Sequence, residues 1–583
     1  MPALPGFILK RLYVKGTLAN SAEGCEFAIL NQIGSGTLTR ILGVEVDGAA
    51  HPVEKLSIIR ADGSARPGPG LTPETPLAVA AGAAVTFRLD GLRLAKGQHA
   101  VSIGLLTREM GEVDIPFRDA VGEKRAVVSV AAAGPGDPPP VARPVRIAII
   151  GAGSAVFARQ LMADFLTTPG LESGTFVLVD VDAERLRLAR RIGERMAAAS
   201  GRPWRVEATG TLSRALPGCH YVISTIEVAG LRSVRPDYEI PLSFGVDQCI
   251  GDTIGPGGIF KMLRTGPAWL AILREIERRC PNALVMNYSN PMSAMTLLAL
   301  RATRLRVVGL CHSVPITVRQ LAGYLEVPCE ELAWKCAGIN HLAWFTELTH
   351  RGMDMYPVLR ERAEDPEVWE ADPVRFEVLK HFGAFVTESS GHLSEYVPYF
   401  RKRPDLAAKY TRGGYRGESG YYARNWPAWR QGGDDSIREI LDGRSPLTLQ
   451  RSEEYASAIV EGIECGSARV IHGNTLNEGL IDNLPAGGCV EVPMLADPGG
   501  LRPVRFGPLP VQMAALDAAH VPVHELLVAA VLGRDRHAAR HALLLDPLTA
   551  AVCSPDEIEA MFDRMWAAER KDLGWFAPRG RAS

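Results

Sequence analysis

The chain has 583 residues, 46% of them hydrophobic and 22% charged, which is the composition of ordinary globular domains; at ~150 residues per unit the length predicts roughly two to four folding units. Lys plus Arg total 64 and Asp plus Glu 66, a net charge of −2, which removes the electrostatic case for a nucleic-acid or anionic-membrane partner. No apolar run is expected to reach the ~18 to 20 residues of a membrane span, Met1-Pro-Ala-Leu-Pro-Gly-Phe lacks the layout of a signal peptide, and the ten cysteines include no C-x-x-C pair, so the expectation is a cytoplasmic protein with reduced, buried thiols.

Residues 1–130 read as β-rich. Val85-Thr-Phe-Arg-Leu alternates apolar and polar positions, His99-Ala-Val-Ser-Ile-Gly-Leu-Leu is a second short strand, and Leu94-Ala-Lys-Gly-Gln between them supplies a turn. Short strands separated by Gly/Pro turns predict a sandwich or jelly-roll, with no catalytic cluster. Residues 131–144, AAAGPGDPPPVARP, contain three consecutive prolines that block both helix and sheet, and are read as an interdomain linker.

Beyond the linker the pattern changes to alternating strand and helix. Val145-Arg-Ile-Ala-Ile-Ile is a continuous apolar strand, Phe157 to Leu166 a helix, and Phe176-Val-Leu-Val-Asp the next strand; the alternation predicts a parallel, doubly wound Rossmann-like α/β sheet over 145–340. An α+β catalytic and oligomerisation region follows over 341–583, with helices expected near 451–467 and 524–546. The first strand runs into Gly151-Ala-Gly-Ser, where Gly151, Gly153 and Ser154 open a helix whose free N–H groups suit a pyrophosphate. The third glycine of G-x-G-x-x-G is replaced by Val156. Asp180 ends the second strand, later than the usual ~20 residues; an acid there holds ribose hydroxyls and favours NAD over NADP.

Four further segments read as polar loops at the sheet edge. Gly251-Asp-Thr-Ile-Gly-Pro-Gly-Gly precedes a helix expected from about Phe260, and its Gly255, Gly257 and Gly258 allow close approach of a ligand. Met286-Asn-Tyr-Ser-Asn-Pro leaves Asn287 and Asn290 in a loop. Val308-Gly-Leu-Cys-His-Ser-Val-Pro and Gly338-Ile-Asn-His carry Cys311 and His341. A thiolate, an imidazole and open positions filled by substrate oxygens suit Mn²⁺ or a similar divalent ion. Spacing alone favours structural roles for both residues, as a buried thiol and a core histidine; the order of the loops is what turns the reading toward a metal.

The order of these motifs over 145–583 resembles the family-4 glycoside hydrolases: Ile150-Gly-Ala-Gly-Ser, Gly251-Asp-Thr-Ile-Gly-Pro-Gly-Gly, Asn287-Tyr-Ser-Asn-Pro-Met, Cys311-His-Ser-Val, Gly338-Ile-Asn-His and Ser394-Glu-Tyr-Val-Pro, followed by Asn474-Thr-Leu-Asn-Glu-Gly and Val490-Glu-Val-Pro. The N-terminal stretch weakly resembles the β subunit of C-glycoside deglycosidases through Gly97-Gln-His-Ala-Val-Ser-Ile and the acidic end around Asp114; as an accessory unit it would serve oligomerisation or lid formation. The family resemblance implies an NAD- and metal-dependent redox elimination: oxidation at C3 of the sugar, loss of the C2 proton, elimination at C1, water addition and re-reduction. It implies Cys311 and His341 as metal ligands, Asn290 with Asn287 as substrate contacts, and His312 as the acid at the leaving oxygen or a substrate contact. Tyr396 is the implied C2 base, with Tyr399 the alternative, and Asp252 tunes proton transfer. The Cys311-His-Ser-Val and Gly251-Asp-Thr motifs resemble the α-galactosidase and α-uronidase branch, so an unphosphorylated α-glycoside is the expected small-molecule substrate, and Arg401-Lys-Arg403 either holds a carboxylate or is solvated. A homo-oligomer is expected. Two other readings stay open: a sugar dehydrogenase that releases NADH, and a non-catalytic NAD-binding assembly protein.

Overall fold

The computed structural model describes residues 12–14, 17–30, 36–59, 65–73, 75–79, 84–107, 111–121 and 143–577. In the N-terminal region two antiparallel sheets face each other. One orders Ala19–Asn20, Gly24–Leu30, Ala84–Asp90, Leu56–Ile59 and Ala65–Pro67; the other orders Gly111–Ala120, Gln98–Thr107, Gly36–Val46 and Ala49–His51. Alternation builds the interface: in Gln98–Thr107 the side chains of Val101, Ile103 and Leu105 are buried and their neighbours are not. Phe27 of one sheet and Phe117 of the other approach with ring centroids 5.2 Å apart. The expected sandwich is therefore present, with its own hydrophobic core. Residues 131–142 of the expected linker lie outside the described residues; Arg143, at its end, pairs with Glu464 at 2.9 Å.

The remainder is built on one large mixed sheet. Its parallel half has the strand order Trp204–Thr209, Gly174–Val179, Val145–Ile150, Tyr221–Ser224, Leu284–Asn287, Arg306–Gly309, the strand 3-2-1-4-5-6 pattern of dinucleotide-binding folds. The sheet then continues through the antiparallel strands Arg469–Leu476, Cys489–Asp497, Leu332–Ile339 and Leu342–His350. The expected boundary at 340/341 falls in the tight turn between the last two strands, and one core runs from Val145 to Leu573. One register row crosses the sheet: Val179–Ile150–Ser224–Asn287–Gly309–Asn474–Glu491–Gly338. The loops that carry polar residues leave just beyond it.

Three expectations need correction. The helix expected from Phe260 begins at Gly255, and its glycines serve the loop rather than a ligand: a Cβ at Gly257 would lie 2.3 Å from the Gly251 carbonyl oxygen, and one at Gly258 2.5 Å from the Thr253 carbonyl carbon. The helix expected over 524–546 is two, Val511–Gly533 and Arg536–Leu545, broken at Arg534 in the left-handed region (φ 56°). Val511–Gly533 also has the length and mean hydropathy (1.4) of a membrane span, which the apolar-run reading excluded. It packs in the core, and the Asp517, His520 and His524 side chains on it are buried.

Arg264, buried in helix Gly255–Arg279, ties that helix to two others. It donates to Asp237 at 2.7 Å and pairs with Glu569. Removing one partner of a buried ion cluster strands the rest, so Arg264→Met is expected to lower unfolding stability by about 3–5 kcal/mol, read from urea denaturation midpoints; a loss below 1 kcal/mol would show that the cluster relaxes to water.

Candidate functional site

The first site surrounds the turn after Val145–Ile150. Gly151 has φ 90°, and a Cβ there would lie 2.6 Å from the Thr225 carbonyl oxygen; at Gly153 it would lie 2.6 Å from the Asp180 carboxylate. Ser154 caps helix Ala155–Thr167 without a side-chain hydrogen bond, which leaves the helix N-terminus to an anion. Asp180 Oδ2 accepts the Gly153 N–H at 2.6 Å and Oδ1 the Asp182 N–H at 2.8 Å, so the acid fixes the turn. Val156, in the place of the third glycine, packs against Gly433. The cradle fits a dinucleotide.

The second site gathers the other loops. Cys311 Sγ and His341 Nε2 lie 3.4 Å apart. His341 sits in the hairpin turn with φ 65°, and Glu388 has φ 77°; left-handed backbone at non-glycine residues is costly and gathers at functional sites. His341 Nδ1 is buried without a hydrogen bond. Donor atoms of His341, Glu388 and His392 fall within 4.8 Å of one another, so imidazole nitrogens and a carboxylate converge, with the Cys311 sulfur beside them at His341. Burial, and then His392, lowers the His341 pKa to about 3, which keeps it a neutral ligand. Burial, and then Glu491, raises the Cys311 thiol, so its thiolate needs a nearby cation. This donor set fits a divalent metal.

Glu388 and His392 were not anticipated from the sequence. Glu388 Oε2 lies 2.7 Å from His392 Nδ1; burial opposes protonation of His392, but Glu388 and Asp252 carry its pKa up to about 9. Asp252 accepts from Asn290 Nδ2 at 3.1 Å and from Thr253 Oγ1 at 2.7 Å, and faces Lys261 at 3.3 Å. Burial pushes the Asp252 carboxyl up, yet Lys261 and His392 more than offset it and hold it below the usual range. Lys261 also pairs with Glu227 at 2.9 Å. Asp252, Lys261 and Glu227, with Tyr422 and Trp426, line a narrow cleft that encloses about 20 Å³, room for about one water molecule.

Of the two tyrosines, Tyr396 is buried and its ring lies 6.4 Å from that of His341 and 4.9 Å from that of His520. Its phenol is raised well above the ordinary value by burial, then by Asp252, Glu395 and Cys311. Tyr399 is 41% exposed and packs on Phe382; the structure brings it to no other member of this cluster. His312 Nδ1 lies 2.7 Å from Glu454 Oε1, with its side chain 43% exposed. Asn287 differs from expectation. It is fully buried, donates to the Ser289 carbonyl at 3.1 Å and accepts the Ser289 N–H at 3.1 Å, so it shapes the loop and presents no face to a substrate. Arg401 is buried against Asp247, and Arg403 is solvated and paired with Asp405.

Behind the His341 hairpin stands another unanticipated acid, Glu491. It is fully buried in the centre of the sheet, and the amides of Asn340 and Asn474 approach it without completing a well-formed hydrogen bond. Burial pushes its pKa up to about 8.

Residues 146–327 match the family model described as "Family 4 glycosyl hydrolase" and residues 336–549 its C-terminal domain. Residues 8–122 match "Hydroxymethylglutaryl-CoA reductase, N-terminal domain", so the deglycosidase likeness there stays a likeness of motifs. An alpha-galactosidase of Bacillus subtilis strain 168 is 36% identical over 429 residues, 73% of this chain and 98% of its own length. One of Rhizobium meliloti strain 1021 is 38% identical over 446 residues, 74% of this chain and 90% of its own. An alpha-galacturonidase of Lachnoclostridium phytofermentans is 28% identical over 460 residues, 74% of this chain and 97% of its own. The solved structure of Bacillus subtilis lplD, named as a glucosidase, superposes with a TM-score of 0.65 at 28% identity, covering 72% of this chain and 99% of its own.

Glu491 gives a pH test. Between its ordinary value of 4.5 and about 8, the folded chain holds a proton that the unfolded chain has lost, so stability falls as pH rises, by at most about 1.4 kcal/mol per pH unit. Glu491→Gln removes this contribution. The variant is expected to gain on the wild type steadily from pH 5 to pH 8 in urea melts; parallel pH profiles would place an ionised carboxylate there instead.

Proposed function

The chain belongs to family 4 of the glycosyl hydrolases, and on that basis we propose that it hydrolyses unphosphorylated, uncharged α-glycosides, α-galactosides first, by the redox-elimination route. The observation that carries the reading is that Cys311 and His341 meet at 3.4 Å, the buried ring of Tyr396 lies 6.4 Å from that of His341, and Asn290 donates to Asp252 at 3.1 Å. The galactosidase relatives, 36% and 38% identical, support the sugar. Charge supports it too: Lys261, Arg264, Arg401, His312 and His392 are each already paired with a carboxylate, so none of these cations is left over for a phosphate or a uronate.

NAD⁺ at the Gly151–Ser154 turn, with Asp180 toward its ribose, would supply a hydride acceptor at C3, and a divalent ion on Cys311 and His341 would supply positive charge beside the C2 and C3 oxygens. The chain's own residues move the protons. Tyr396 accepts the C2 proton; its phenol is held protonated by burial and nearby carboxylates in the unloaded site, so it becomes a base only when positive charge enters. Asp252, fixed by Asn290 and Lys261, keeps an ionised carboxylate 3.9 Å from His392, and Asn290 orients a sugar hydroxyl. His312, held at 2.7 Å by Glu454 and reaching solvent, donates to the leaving oxygen.

The route breaks the C2–H bond and direct displacement does not. Turnover in D₂O is therefore expected to place deuterium at C2 of the released sugar, read by NMR, and Tyr396→Phe to lose exchange and turnover together by about 10²–10⁴-fold while still binding NAD⁺. Hydrolysis without C2 deuterium would sink the route, and stoichiometric growth of absorbance at 340 nm would select the dehydrogenase reading.

A general acid matters most when the leaving group is poor. His312→Gln is expected to slow alkyl glycosides at least tenfold more than nitrophenyl glycosides; an equal loss on both would assign His312 to binding alone.

A further inference from the structure

The helix Tyr421–Leu441 carries a run of aromatic side chains that the proposed chemistry does not use. Tyr422, Trp426 and Trp429 recur at the spacing of one helix face. At the inner end, Tyr422 and Trp426 line the cleft with Asp252, Lys261 and Glu227 and stack on each other at 5.3 Å. The Tyr422 N–H donates to the Cys249 carbonyl at 3.0 Å, which fixes this end of the helix to the loop that delivers Asp252. At the outer end, Trp429 stacks on Tyr415 with centroids 5.9 Å apart and planes 18° apart, and meets Tyr421 at 5.3 Å. Tyr415 stands over the helix that carries His392: its carbonyl oxygen leaves only 2.5 Å for a Cβ at Gly391. Trp429 is 38% and Tyr415 47% exposed. The aromatic surface thus begins beside Asp252, in the narrow cleft that Tyr422 and Trp426 share with it, and ends in water.

Large aromatic faces are seldom left bare on a surface without a ligand or partner to cover them, and rings with an apolar face and a polar rim suit partners of the same character. A pyranose ring is such a partner, with a C–H face and hydroxyls at its edge. We propose that the Tyr415–Trp429 surface, continued inward by Trp426 and Tyr422, is the subsite for the leaving-group sugar: an uncharged pyranose ring joined to the glycoside being cleaved. The inference rests on the glycosidase reading of the cleft. Its geometry is that of a platform leading outward from the cleft, so it serves substrates of two or more sugars and is idle with a methyl glycoside.

The test uses the full-length chain with Trp429→Ala and Tyr415→Ala. Against an α-linked disaccharide and trisaccharide, kcat/KM is expected to fall about tenfold in each variant, and against the methyl α-glycoside of the same sugar to stay within about twofold. An equal loss on both substrates would show a structural role and overturn the proposal. So would a loss confined to nitrophenyl glycosides, which would make the surface an aryl site. A shift to a smaller assembly in light scattering would also overturn it, by assigning the surface to a second copy of this chain. Tryptophan fluorescence separates this inference from the glycosidase reading. Titration of the wild type with the disaccharide is expected to give a saturable change that Trp429→Phe removes, whether or not the sugar is hydrolysed. No saturable change in the wild type would overturn the subsite even if hydrolysis is observed.

Discussion

A single transverse row of backbone pairing holds the chemistry of this protein together. It runs Val179, Ile150, Ser224, Asn287, Gly309, Asn474, Glu491, Gly338 across eight strands, and at five of these crossings the chain leaves it to deliver a residue of one of the two sites: Asp180, Gly151, Asn290, Cys311, His341. Cys311 and His341 are 30 residues apart and follow strands with two others between them in the sheet, yet reach 3.4 Å. Sheet register has a period of two residues, so slipping any one strand by a residue turns its side chains to the other face and dissolves the cluster. The parallel half alone makes an ordinary dinucleotide fold; the antiparallel extension carries the same edge across to His341.

The cluster is dense in charge, and the folded chain pairs what it buries. Lys261 lies between Asp252 and Glu227, His392 faces Glu388, His312 faces Glu454 and Arg264 joins Asp237 to Glu569. Removing a charge from water is expensive unless a partner sits beside it, so these pairs fix one another's positions. Glu491, like Asp517, is an exception. It is buried with no cation among its neighbours, and the neutral acid is the form the interior tolerates.

Much of this was legible in the sequence because the signals are local. An apolar strand running into Gly151-Ala-Gly-Ser, with a helix behind it, declares its own fold, and the loop motifs around Asn290, Cys311 and His341 each follow or interrupt a strand. What could not be read was long-range. Glu388 and His392 lie in a stretch with no spacing relation to Cys311, and Glu491 reads as one more strand position until the register sets it behind the hairpin. Tyr396 and Tyr399 stand three residues apart and only burial separates them. Asn287 misled because an asparagine in a polar loop can satisfy the loop's own backbone as readily as a ligand. The glycines after Asp252 misled for a related reason: the space they leave is filled by residues 251–253.

The long helix Tyr421–Leu441 has a consequence for how the two clefts communicate. Near one end, Tyr422 and Trp426 form a wall of the narrow cleft beside Asp252. Toward the other, Asp434 accepts Arg185 at 2.7 Å, and Arg185 in turn donates to the carbonyl of Gly153 at 2.6 Å, in the phosphate-binding turn. A rod pinned at both ends carries part of a shift from one to the other, the rest being taken up by bending at Pro427 and Gly432–Gly433 between the pins. Whatever free energy the nucleotide spends on seating that rod is free energy the sugar no longer has to spend, and thermodynamic reciprocity makes the converse hold by the same amount.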